Sequence, residues 1–241
     1  MKKMIVSSLF ATMLMVGVAA YADESTIVDQ DATTKAKVGI TAVSPEDKPG
    51  IIEEGDKQDP GDEKDPGSSG SEETGHTGQF TIDQVPNFGF GTTTVAGDTL
   101  KLDKTNNLPV QVSDRRSNGS GWKLSVQLGE FKNVDDSKKG KDASLQGVKM
   151  NMAIIGDLVP NAGNLNSAPT KHAIELKAGG GSADLLTAAA DTDTETGIGR
   201  GSWMGKFADG TSETETTLTI PGGNYEGTYS ADLVWKLSQT L

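Results

Sequence analysis

The chain contains no cysteine. It therefore has no disulfide framework, no thiol nucleophile and no lipid-modified N-terminal cysteine. Histidine is nearly as scarce, with two residues. His76 lies in an acidic, turn-rich stretch, and His172 stands alone at the start of a short alternating run. Neither has a Glu-x-x-His or aspartate pattern beside it. No Gly-x-Ser-x-Gly elbow occurs. Gly197-Ile198-Gly199-Arg200-Gly201 resembles a phosphate loop superficially, but it lacks the lysine and the strand-before, helix-after context. Asp191, Asp193 and Glu195 alternate with threonines, yet the run has neither the twelve-residue loop nor the closing glutamate of a calcium site and reads as a solvated acidic loop. These absences argue against an enzyme, and no cofactor or metal is expected.

Positive charge is also in short supply, with 22 Lys and Arg against 34 Asp and Glu and a formal net charge of −12. Nothing offsets repulsion from phosphates, so nucleic acid is excluded as a partner. No late apolar segment with a basic tail and no LPxTG-like sorting sequence is present. Any attachment to a cell is expected to be non-covalent.

What is present begins with an export signal. Lys2 and Lys3 form a basic start, residues 5–20 are mostly apolar, and Ala20-Tyr21-Ala22 fits the small-x-small cleavage pattern. Residues 1–22 read as a signal peptide rather than a membrane span, because the apolar run is short and ends in acidic, polar sequence. Cleavage before Asp23 would remove two lysines and take the formal charge from −12 to −14.

Residues 34–43 alternate, with Ala36, Val38, Ile40 and Ala42 on one side, so residues 23–45 are expected to hold a strand that pairs with the main domain. A loose N-terminal tail is the alternative. Residues 46–78 carry eleven Asp and Glu against three Lys and two Asp-Pro-Gly turns. With little apolar material beyond Ile51 and Ile52, this stretch reads as a disordered acidic spacer. From residue 79 to 241 strand patterns follow one another, at 80–85, 100–102, 108–113, 122–128, 148–155, 173–176, 216–220 and 228–237. Gly, Asn, Asp and Pro clusters separate them. Asn118-Gly119 reads as a hairpin turn. Only residues 185–190 suggest a helical turn, and the three glycines before them argue for a loop. The expected fold is all-β: one antiparallel sandwich or barrel-like domain with long loops.

Within it, one tripeptide occurs twice. Trp122-Lys123-Leu124 and Trp235-Lys236-Leu237 each sit in a strand with period-two alternation, so each strand shows a tryptophan and a leucine on one face. Two readings stand: the rings pack in the core, or they meet a ligand. Alternation with apolar neighbours favours the core. Asp114 and Arg116 precede the Asn118-Gly119 turn on a shared face. A structural tie for that turn is preferred over a ligand contact.

These residues, taken in order, resemble the WxL domain proteins of Gram-positive surfaces, of the small type. The resemblance rests on residues 80–91 (FTIDQVPNFGFG), residues 112–116 (VSDRR) and Trp122-Lys123-Leu124. It closes with residues 218–221 (LTIP), Gly227-Thr228-Tyr229 and Trp235-Lys236-Leu237. It implies a secreted, cell-surface protein attached non-covalently to the wall through peptidoglycan. It also implies cooperation with larger WxL proteins and a membrane-anchored WxL-interacting protein.

Overall fold

The computed structural model describes residues 35–57, 65–192 and 196–240. The proposed signal peptide, part of the acidic stretch and two of the three acidic residues of the Asp191 run (Asp193 and Glu195) lie outside them. The described residues fall into two units, residues 35–40 and residues from 41 onward. In the first unit, residues 35–40 carry no strand.

Antiparallel pairing organises the second unit throughout. The largest sheet has five strands in the order β1 (Gly70–Glu73), β2 (Phe80–Asn87), β4 (Asn107–Asp114), β12 (Gly201–Asp209) and β8 (Ile155–Pro160). A four-stranded sheet orders β10 (Ile174–Lys177), β7 (Lys149–Met152), β13 (Thr217–Ile220) and β3 (Asp98–Lys101). Another four-stranded sheet orders β15 (Leu233–Thr240), β5 (Gly121–Leu128), β11 (Ala183–Ala188) and β9 (Thr170–Lys171). A two-stranded ribbon pairs β14 (Tyr229–Ser230) with β6 (Lys132–Asn133). The sheets do not close into a barrel. They share one apolar core in which Trp122, Phe207, Leu108, Leu124 and Met150 are fully buried. Alternation is what makes this possible: Leu108, Val110 and Val112 of β4 point into that core while Gln111 and Ser113 point the other way.

Several expectations are corrected. Residues 35–43 form no strand; within the second unit, Gln79 Nε2 donates to the carbonyl of Val43 at 3.0 Å. Residues 185–190 are no helical turn. Leu185 and Leu186 are both buried because β11 shifts register against β5 between Asp184 and Leu186, which breaks the alternation that marks a strand. Asn118-Gly119 is no hairpin, since β4 and β5 belong to different sheets. Gly119 instead turns the chain between sheets at φ +68°, where a Cβ would stand 2.9 Å from the Asp191 carboxylate.

The acidic stretch gives the largest correction. Its described residues are no disordered spacer: β1 lies within it, and residues 46–57 run as a strap over the outer face of the five-stranded sheet. Two buried glutamines hold the strap, and they are cross-strand partners, Gln84 on β2 and Gln111 on β4. Gln111 accepts from the Ile52 N–H at 2.7 Å and donates to the Gly50 carbonyl at 2.9 Å. The Gln84 amide, turned to satisfy both ends, donates to the Glu53 carbonyl at 3.1 Å and accepts from the Gly55 N–H at 3.0 Å. Each side-chain amide thus does for the strap what a neighbouring peptide group does for a strand. Lys206 Nζ bonds Glu53 at 2.6 Å and holds that carboxyl below the usual range, while Lys48 pairs with Glu73. Strap backbone is thereby satisfied without burying many apolar residues.

Beneath the strap, Asp83 is buried and accepts from Thr81 Oγ1 at 2.6 Å, Ser113 Oγ at 2.6 Å and Gln111 Nε2 at 2.8 Å. Burial pushes its pKa up, against those hydrogen bonds and the charge of Arg115. A carboxyl that keeps its proton longer when folded than when unfolded makes stability fall as pH rises, between the unfolded value near 4 and the raised folded one. Other carboxylates act in the opposite sense, so the expected signal is a difference. The stability of the wild type minus that of Asp83→Asn declines as pH rises through this window. Urea midpoints at a series of pH values measure it, and parallel curves for the two proteins would contradict it.

Candidate functional site

The two Trp-Lys-Leu copies are neighbours. β5 and β15 pair antiparallel with Leu124 opposite Leu237, Val126 opposite Trp235 and Trp122 opposite Gln239. The two rings therefore share a face but sit at different points along the ribbon, and their surroundings differ. β5 is an interior strand, and Trp122 and Leu124 are completely buried. The Trp122 indole N–H donates to the carbonyl of Gly199 at 3.2 Å. Gly199 has φ +68°, and a Cβ there would fall 2.9 Å from the indole nitrogen. The 197–201 glycine run is thus a closely approached floor for a tryptophan. β15 is an edge strand, and Trp235 and Leu237 are only half-buried.

Asp114 and Arg116 meet in a fork. Arg116 Nε reaches Asp114 Oδ1 at 2.8 Å and Nη2 reaches Oδ2 at 3.0 Å, with side chains 10% and 4% exposed. The guanidinium also donates to Gln239 Oε1 at 2.9 Å and lies 3.8 Å above the Phe80 ring. One residue thus joins β2, the end of β4 and the end of β15. This geometry orders a corner, and neither residue lines the cleft described next.

That cleft is an open hollow of about 820 Å3 to which β15 contributes Trp235. Six of the chain's twelve aromatic residues line it: Phe88, Phe90, Phe131, Tyr225, Tyr229 and Trp235. Phe88, Phe90, Phe131 and Trp235 also pack against the core, so these rings are half-buried and present their remaining surface to the hollow. The rings also form a packed series. Trp235 lies edge-on to buried Phe207 at 6.2 Å, Phe207 to Phe88 at 5.1 Å, and Phe88 stacks on Phe90 at 6.3 Å. Phe207 belongs to β12, so the cleft is braced by the five-stranded sheet.

Two turns shape its sides. Asp65 accepts from the Gly67 N–H at 2.9 Å, and the Gly91 N–H donates to the Pro66 carbonyl at 2.8 Å, setting the Pro66 turn against the Phe88–Phe90 loop. Across from it, Tyr229 Oη donates to the Tyr225 carbonyl at 3.1 Å. Asp65, Glu72, Glu226 and Asp232 stand exposed among the lining residues. Of the sequence-derived candidates, Trp235 alone reaches this hollow; Trp122, Leu124 and Leu237 do not line it. Phe88 and Phe90 fall in the 80–91 segment that carries the family resemblance, but nothing in the sequence marks them as lining a cleft; they follow the end of β2, where no strand face explains an aromatic.

Elsewhere, His172 Nε2 lies 2.9 Å from Thr187 Oγ1 and His76 Nδ1 lies 3.0 Å from the Ile82 carbonyl. Asp191 accepts from the Gly197 N–H at 2.8 Å. Among the described residues no three His, Asp or Glu side chains gather as a metal cluster.

A family model described as "WxL domain surface cell wall-binding" matches residues 27–240. No curated protein and no solved structure matches the chain.

Proposed function

The chain belongs to the WxL domain family of surface cell-wall-binding proteins, and from that premise we propose that it holds to the wall by binding peptidoglycan in the aromatic cleft beside Trp235, without catalysis. It is a cell-surface, wall-associated protein. One observation carries the choice of site: half of the chain's aromatic residues line a single open hollow. Sugar rings present apolar faces that pack on aromatic rings, while polar groups around the edge fix orientation. No step of this reading needs a nucleophile or a metal. Purified protein is expected to co-sediment with protein-free sacculi, and failure to do so while remaining folded would contradict the proposal.

A second reading rests on β15. It is the edge of its sheet, and Val234 is 54% exposed on it. An unpaired edge suits strand addition by a protein partner. In this reading the partner is the membrane-anchored WxL-interacting protein or a larger WxL protein. Sedimentation with protein-containing envelopes but not with protein-free sacculi would favour it.

A further inference from the structure

The charges around the cleft narrow what it accepts. Among the described residues that line it, Asp65, Glu72, Glu226 and Asp232 are acidic and none is Lys, Arg or His. Elsewhere among the described residues some carboxylates are paired with cations, such as Lys104 with Glu213, Lys123 with Asp184, Lys149 with Glu175 and Lys206 with Glu53, and others are not. None of the four cleft carboxylates has an ion pair among the described residues. A hollow walled by one sign of charge concentrates its field and draws ligands of the other sign. The aromatic rings add to this, because the faces of Trp and Tyr attract ammonium groups. Phosphate, by contrast, is held in proteins by Arg and Lys, and this lining offers neither.

Resting on the peptidoglycan reading, we propose that the cleft selects the amine-bearing, uncharged part of the wall. A primary ammonium of a wall peptide sits among the acidic side chains and the tryptophan and tyrosine faces, and phosphate-rich wall polymers are rejected. The two features point the same way independently. Carboxylates alone would suit any cation, and rings alone would suit any sugar. Together they suit an ammonium carried on a sugar–peptide strand.

The test uses the full chain and three preparations of protein-free sacculi: stripped of phosphate polymers, stripped and then N-acetylated to turn ammonium groups into amides, and unstripped. The expected result is binding to stripped sacculi that is at least as strong as to unstripped ones, weakens as salt is raised, and falls about tenfold on acetylation. The double variant Glu226→Gln, Asp232→Asn, changed at exposed positions, is expected to melt as the wild type does. It should bind stripped sacculi several-fold more weakly and acetylated sacculi as the wild type does. Equal wild-type binding to stripped and acetylated sacculi would overturn the selection while leaving the peptidoglycan reading intact. So would a double variant that binds stripped sacculi as the wild type does, or stronger binding to unstripped sacculi. Loss of binding to all three preparations would overturn both.

Discussion

Trp122→Ala is expected to destabilise the protein by about 3–5 kcal/mol, the usual cost of deleting a large aromatic side chain from a packed core. The ring is 1% exposed in an interior strand, and its N–H satisfies the carbonyl of Gly199. Truncation leaves a cavity that β5 cannot collapse into, because β11 and β15 hold it on both sides. It also strips the Gly199 carbonyl of its donor. Stabilities of natural domains are about 5–15 kcal/mol, so a large share is at stake. Trp235→Ala is expected to cost less, since that ring is half-buried on an edge strand. Urea denaturation of both variants measures the contrast, and equal losses would contradict the different placement of the two rings.

Arg116→Ala is expected to be comparably damaging, by about 3–5 kcal/mol, for a different reason. Removing one partner of a buried ion pair leaves the other charge without compensation. Here Asp114, 4% exposed with the arginine in place, would lose that partner and keep the backbone N–H of residue 116 as its remaining bond from that position, at 3.1 Å. The link to Gln239 would go too, loosening the C-terminal end of β15. Arg116→Lys should recover only part of the loss, because an ammonium cannot reproduce the two-pronged contact or lie flat on Phe80. Full recovery with lysine would show that charge alone matters and that the fork does not.

Strands whose two faces differ were legible in the sequence. β4, β5 and β15 each carry one apolar face and one more polar face, and their alternation shows it, although the polar face of β4 is itself buried under the strap. β12 escaped because Trp203 and Phe207 enter the core while Ser202 and Met204 are buried on the other side, so no polar face marks the strand. The strap escaped because what holds it is not in its own composition. Residues 46–57 look disordered when judged by their apolar content, and the groups that order them are Gln84 and Gln111, tens of residues away. Residues 34–43 erred in the other direction: alternation was present, but no strand edge takes residues 35–43 up.

The repeated tripeptide identified two equivalent strands and left open whether their rings face core or ligand. The pairing of β15 with β5 makes that a question with two answers. The interior copy packs, and the edge copy is left at the mouth of a hollow whose other walls come from the Phe88–Phe90 loop and the Tyr225–Tyr229 turn. Period-two patterning cannot show this, since both tryptophans lie on the apolar face of their strands. Only the position of each strand in its sheet separates them.

The central claim is that the cleft, and not the fold at large, meets the wall. The most direct measurement is co-sedimentation of Trp235→Ala and Phe90→Ala with protein-free sacculi, with Tm recorded on the same samples. Both variants are expected to stay folded at the assay temperature and to lose most of their binding. Folded variants that sediment as the wild type does would contradict the claim.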